Sequence, residues 1–287
     1  MYIRNLFKEK KQLLSFEVFP PKKDTGEESV KAAVDELVKL PADYISVTYG
    51  AGGSTSKRTA DIAEYIQNTH GMAALAHLSC ITADRESIEL MLGDMKLRGI
   101  ENVLALRGDL PADGGEIASD YRYASELVED IRLFGGFCIG GACYPECHPD
   151  SPDLETDIEN LKRKVDAGCD FLVTQMFFDN EKFYEFRELA AKKGIDIPMV
   201  AGIMPLTQAS QIQRMCILSG GASLPSKFTR MIGKYENKPE ALKQAGIAYA
   251  VDQITDLLAN DIRGIHIYTM NKPETAKTIV SAVSSMF

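Results

Sequence analysis

Leu13-Leu14-Ser15-Phe16-Glu17-Val18-Phe19-Pro20 is a short, mostly apolar run that closes on a carboxylate and turn residues. It is the first of about eight passes of one pattern, a strand-like run followed by a helical stretch. The later runs end at Thr48-Tyr49-Gly50, His77-Leu78-Ser79, Arg107-Gly108-Asp109, Tyr144-Pro145-Glu146, Gln175-Met176, Gly202-Ile203-Met204-Pro205 and Tyr268-Thr269-Met270. Between them, Val30, Val34, Leu37 and Val38 have helical spacing, as do Ile62, Ala63 and Ile66, then Ile88, Met91, Leu92 and Met95. Such alternation demands a parallel sheet, because each crossover must return the chain to the same edge. In 287 residues it predicts an α/β protein with one closed (β/α)8 barrel, the TIM-barrel architecture, as a single domain over 1–287. Chemistry in that fold sits where the strands end, so the fold and the location of the site come from one reading.

Two segments carry further predictions. Ser151-Pro152 is expected to open a helix, with a capping hydroxyl and a proline at the first position, and Gly168 to close it. The connection between strands seven and eight, 206–263, is longer than one helix needs. Gly220-Gly221-Ala222-Ser223-Leu224-Pro225 reads as a loop, part of the connection is expected to form a flap over the barrel mouth, and Ala241 to Ala259 reads as a long returning helix.

With 45% hydrophobic and 25% charged residues, the chain can bury a large core. No apolar stretch approaches the roughly 20 residues that span a bilayer. The N-terminal segment lacks the apolar stretch and cleavage site of a secretion signal, so a cytoplasmic location is expected, with no membrane contact. A net charge of -9 argues against non-specific nucleic-acid binding, which needs a basic face. The six cysteines are scattered, and Cys138, Cys143, Cys147 and His148 do not have the spacing of a structural zinc site; free thiols and no metal are expected.

The strand ends hold the candidate site. Glu17, flanked by Phe16, Val18 and Phe19, is expected in poorly hydrated surroundings that favour a neutral carboxyl group, the state a proton donor needs. The alternative is a carboxylate paired with a basic residue across the barrel. Gly50-Ala51-Gly52-Gly53-Ser54-Thr55-Ser56 is either a tight turn with a helix cap or a close approach to a ligand, and it is no dinucleotide fingerprint, because Thr55 holds the third glycine position. Arg107 and Asp109 are either a rim salt bridge or, separately, a phosphate contact and a carboxylate facing a ligand that gains positive charge. His77 is either a satisfied core histidine or a ligand contact. Leu154, Ile158, Leu161 and Val165 define the buried face of the helix after strand five. Asp157, Asn160 and Lys164 form a bordering stripe, which with Arg163 either holds a diphosphate and ribose or pairs internally, as Asp157 to Lys164.

These segments also carry a family resemblance. Phe16-Glu17-Val18-Phe19-Pro20-Pro21, Val47-Thr48-Tyr49-Gly50-Ala51-Gly52-Gly53, His77-Leu78-Ser79-Cys80, Ala105-Leu106-Arg107-Gly108-Asp109-Leu110-Pro111, Tyr144-Pro145-Glu146-Cys147-His148-Pro149, Asn160 to Gly168, Thr174-Gln175-Met176-Phe177-Phe178-Asp179 and Ile267-Tyr268-Thr269-Met270-Asn271 resemble methylenetetrahydrofolate reductases in their compact bacterial form. The resemblance implies a flavoprotein of one-carbon metabolism that binds FAD non-covalently. Such an enzyme reduces 5,10-methylenetetrahydrofolate to 5-methyltetrahydrofolate with electrons from NADH or NADPH, in ping-pong fashion. By motif position, Thr48, His77, Leu106, Arg107, Gly108, Asp109, Tyr123, Ala124, Ala142, Tyr144, His148, Asp157, Asn160, Arg163 and Lys164 would line the FAD site. Glu17 would be the catalytic acid; Asp109 and Gln175 would hold the pterin, and Tyr268 would lie near the substrate. Lys272 stands where the family pattern has arginine, keeping the charge but losing the planar fork toward the folate tail or nucleotide. The segment Phe228 to Tyr235 departs from the pattern, which leaves the electron donor open among NADH, NADPH and a partner electron-transfer protein. Two other functions fit a similar barrel, a flavin subunit supplied by such a partner and a pterin-dependent methyltransferase. A homo-oligomer is expected from barrels of this type.

Overall fold

The computed structural model describes residues 1–21, 26–49, 55–108, 119–218 and 221–287. Its eight strands are β1 (Leu13–Val18), β2 (Tyr44–Val47), β3 (Ala73–Ser79), β4 (Asn102–Leu106), β5 (Cys138–Cys143), β6 (Phe171–Thr174), β7 (Met199–Ile203) and β8 (Gly264–Tyr268). They are parallel, follow chain order around the sheet, and close when β8 pairs with β1. The predicted barrel is therefore the observed one.

Helices α2 (Glu27–Leu37), α3 (Thr55–His70), α4 (Arg85–Leu97), α5 (Ala124–Phe134), α6 (Leu154–Asp166) and α7 (Asn180–Lys192) make the first six crossovers, and α11 (Pro273–Val283) follows β8. Alternation along each strand decides what faces where. Leu14, Phe16 and Val18 of β1 point outward into the large cluster shared with the helices, beside Val30, Val34 and Leu37 of α2. Leu13 points inward, with Tyr44, Leu75, Leu104, Phe171, Val173 and Val200.

A short helix, α1 (Ile3–Glu9), precedes the first strand. Ile3, Leu6 and Phe7 occupy one face at helical spacing and join the inner cluster, with the Phe7 ring 5.6 Å from that of Phe171. The buried Asn102 side chain fastens the helix. Its Oδ1 accepts from the Ile3 amide at 2.8 Å, and its Nδ2 donates to the carbonyls of Met1 and Ala74 at 3.0 and 3.1 Å. This end of the barrel is closed, which leaves the C-terminal ends of the strands as the mouth.

The helix expected to open at Ser151-Pro152 begins later. Asp153 is the N-cap, its side chain accepting from the Thr156 amide. Ser151 belongs instead to the preceding turn, where its amide donates to the His148 carbonyl at 2.9 Å and its hydroxyl to Asp157 at 3.1 Å. The described residues of the 206–263 connection form three helices, α8 (Gln211–Leu218), α9 (Ser226–Tyr235) and α10 (Pro239–Ala259), the last matching the predicted returning helix. Phe228 of α9 stacks at 4.8 Å on Phe178 and lies 4.8 Å from Tyr249 of α10. With Met176, Leu206, Met215 and Leu242 they form a separate apolar cluster on the β6 to β8 side of the mouth. Among the described residues, no helix is long and apolar enough to cross a membrane.

Candidate active site

Glu17 sits near the end of β1, in register with Ser46 of β2 and Tyr268 of β8. Alternation turns its side chain inward, so Phe16 and Val18 are on the opposite face of the strand and do not form its surroundings, contrary to the sequence expectation. Burial comes from the barrel interior instead; the side chain is 17% exposed. Two imidazoles approach the same carboxyl oxygen: Oε2 lies 3.5 Å from His266 Nε2 and 3.7 Å from His77 Nε2. Below them, His266 Nδ1 is 2.8 Å from the Ser15 hydroxyl, and His77 Nε2 is 2.6 Å from that of Ser46. The Glu17 backbone is fixed too. Its carbonyl accepts from the Thr269 hydroxyl at 2.6 Å, and the Asn271 side chain bridges both backbone groups of Phe19.

His77 is thus a neighbour of the acid rather than an isolated core histidine. Burial pushes its pKa down to about 4, against the opposing pull of Glu17, so it is neutral at pH 7. A neutral buried histidine contributes stability that is present above its unfolded pKa, near 6.5, and is lost as pH falls toward the folded value of about 4, because the unfolded chain takes the proton first. Urea midpoints measured between about pH 7 and about pH 4.5 should therefore fall less steeply for His77→Gln than for the parent. Equal slopes would show that His77 is not buried in its neutral form.

The residues expected around FAD occupy one continuous part of the rim. Thr48 follows β2, and Leu106 ends β4 with Arg107 and Gly108 next to it. Ala142 lies on β5 with Tyr144 just beyond, Tyr123 and Ala124 start α5, and Asp157, Asn160, Arg163 and Lys164 lie along α6. Here the internal pairing of Asp157 with Lys164 does not form. Asp157 accepts from the His148 amide at 3.0 Å and the Ser151 hydroxyl at 3.1 Å, while Lys164 donates to the Ala142 carbonyl at 2.6 Å. Arg163 donates to Asn160 Oδ1 at 3.1 Å. Arg107 pairs with Asp150 at 2.6 Å, which holds the Asp150 carboxyl below the usual range. His148 accepts the Asp150 amide at Nδ1 and packs edge-on to Tyr144 at 4.6 Å; burial, then Arg107, lower its pKa. Asp109 and the glycines of 50–53 lie outside the described residues.

Across the mouth, Gln175 follows β6. Its amide donates to the Cys143 carbonyl, and its side-chain Oε1 accepts from the Met176 amide at 2.9 Å, while its NH2 group has no hydrogen-bond partner among the described residues. Tyr268 donates to the Thr174 carbonyl at 2.8 Å. Lys272 is the residue before α11. Beside Arg107, a cavity of about 540 Å³ is lined by Ile81, Ser119, Tyr121, Arg122, Tyr123 and Asp150, among others.

Sequence reasoning missed His266, Ser15 and Asp150. His266 was readable, since it stands two residues before Tyr268 and so shares its inward face. Asp150 was not, because a loop brings it to Arg107.

Fold and site together define a (β/α)8-barrel protein with a largely buried acid, Glu17, at the mouth and an aromatic, basic rim beside it. The family model for methylenetetrahydrofolate reductase matches residues 2–284. The chain belongs to the methylenetetrahydrofolate reductase family of oxidoreductases.

A 5,10-methylenetetrahydrofolate reductase of Pectobacterium carotovorum subsp. carotovorum is 36% identical over 266 residues, covering 93% of this chain and 88% of that protein. The one from Escherichia coli K12 is 34% identical with the same coverage. Methylenetetrahydrofolate reductase (NADH) 1 of Arabidopsis thaliana is 35% identical, and there the match covers 96% of this chain but 48% of the plant protein. Among solved structures, an uncharacterized protein from Clostridium thermocellum that binds two copies of 5-methyl-5,6,7,8-tetrahydrofolic acid superposes with a TM-score of 0.69 at 13% identity, covering 100% of this chain and 99% of that one. At that identity the likeness bears on the fold.

Proposed function

We propose that this protein reduces 5,10-methylenetetrahydrofolate to 5-methyltetrahydrofolate, using non-covalent FAD and a reduced nicotinamide, NADH or NADPH. The observation that carries the reading is the position of Glu17, an inward-facing, largely buried acid at the open end of a barrel whose other end is closed. The nicotinamide is supported by the name of the Arabidopsis relative.

The chain's own residues fit a flavin dinucleotide. The cavity beside Arg107 combines a guanidinium with the rings of Tyr121 and Tyr123, and Arg163 and Lys164 lie on the adjoining helix; these are groups suited to diphosphate and to a flat base. Arg107, Arg163 and Lys164 would neutralise phosphate charge, with Asp157 and Asn160 toward ribose. Bound flavin would supply the hydride. Glu17 delivers a proton to the folate nitrogen that departs as the five-membered ring opens, which leaves a cationic carbon-nitrogen bond on the substrate. His266 steadies the carboxyl oxygen that does not need to reach the ligand, at 3.5 Å, with His77 beside it at 3.7 Å and bonded to Ser46. Gln175 offers its NH2 group to the pterin, and Asp109 is assigned to the developing positive charge. The apolar cluster around Phe178 and Phe228 keeps water from that side of the mouth.

Purified protein should be yellow, bleach anaerobically with NADH or NADPH, and regain colour when methylenetetrahydrofolate is added. A correctly folded, colourless preparation that takes up no FAD would overturn the proposal. Arg163→Ala removes a phosphate partner from an exposed helix face and should weaken FAD binding by about tenfold or more, read from flavin retained on gel filtration. Full retention would remove Arg163 from the phosphate site.

A further inference from the structure

The ladder between β6 and β7 stops short of the mouth. Leu172 pairs with Met199 and Val173 with Val200, but beyond them the backbone groups find other partners. The Gly202 amide donates to the Thr174 hydroxyl at 2.9 Å, and the Thr174 carbonyl accepts from the phenol of Tyr268, which arrives from β8 by crossing β7. The strands are splayed at their mouth ends, and two side-chain hydroxyls satisfy the backbone groups that a continued ladder would have joined.

Tyr268 can cross only because position 202 has no side chain. A Cβ there would stand 2.6 Å from the phenol oxygen and 2.9 Å from Cε2 of Tyr268, and would collide with the Thr174 carbonyl oxygen. The residue after Thr174 is Gln175, whose own amide donates to Cys143 at 2.7 Å, so the end of β6 is held between β5 on one side and Tyr268 on the other.

We infer that Tyr268 is a positioning residue that pins the splayed end of β6 and thereby sets Gln175 toward the pterin, with Gly202 as the clearance that admits its ring. This rests on the folate-reducing reading of the site. The phenol's single proton is committed to a backbone carbonyl, so Tyr268 acts as a strut and not as a second proton donor. Burial, with Glu17 adding to it, raises its pKa well above the ordinary phenol value, which keeps that proton in place. Tyr44, Tyr144 and Cys143 also bear on its phenol, and the His266 ring packs edge-on to it at 5.2 Å.

The test is Tyr268→Phe in the FAD-loaded protein, with three measurements. Amide hydrogen exchange over Thr174 to Met176 should accelerate about tenfold, because the bond that fixes this end of the strand is gone. The folate KM should rise about tenfold while kcat changes by less than about threefold and keeps its pH profile, the pattern for lost positioning rather than lost acid catalysis. Gly202→Ala should lower the urea midpoint less in a Tyr268→Ala background than in the parent, because the contacts with the ring are gone and only the one with the Thr174 carbonyl oxygen remains. Unchanged exchange with an altered pH profile of kcat would make Tyr268 a proton donor, and additive stability effects would break its link to Gly202; either result overturns the inference. Exchange and the stability cycle need no folate, so they stand even if the parent protein fails to reduce it.

Discussion

Glu17→Gln should retain FAD yet lose folate reduction by about 10²-fold or more, the cost of a missing general acid. The substitution keeps the shape and hydrogen-bonding reach of the side chain and removes only the transferable proton. Neither His77 nor Tyr268 is placed to replace it. His77 is neutral at working pH and tucked against Ser46, and Tyr268 spends its hydroxyl on Thr174. The loss should fall on the folate half-reaction, measured anaerobically as the rate at which methylenetetrahydrofolate reoxidises pre-reduced enzyme. Turnover equal to the parent's would take Glu17 out of the mechanism.

Gly246→Ala should cost about 3 kcal/mol of stability, near the upper end of what a single added methyl group does in a packed interior. Here α10 crosses the chain so closely that a Cβ at Gly246 would overlap the carbonyl oxygen of Leu206 and stand 2.8 Å from the carbonyl carbon. A flexible side chain could swing aside, whereas a backbone carbonyl can yield only if the helix or the segment after β7 moves. Either movement opens the apolar cluster of Leu206, Leu242, Phe228 and Phe178. Urea unfolding should show the deficit, and a variant as stable as the parent would mean that α10 does not lie against Leu206.

The strand ends were legible because a strand in this fold must be apolar within and polar where it meets the mouth. Glu17, His77, Arg107, Gln175 and Tyr268 all fall at or beside observed strand ends for that reason. The surroundings of Glu17 were misread by taking chain neighbours for spatial ones; Phe16 and Val18 are adjacent in sequence and opposite in space. Helix α1 had a readable signal in the spacing of Ile3, Leu6 and Phe7, but seven residues are too few for periodicity alone to decide. Gly246 and Gly202 had none. Each is an ordinary glycine in sequence, and its role exists only where another part of the chain arrives against it.

Because Ile3, Leu6 and Phe7 stopper one end of the barrel, a molecule that reaches Glu17 must come and go by the same doorway. Two reactants that each need that passage have to queue, and a product slow to depart holds up its successor.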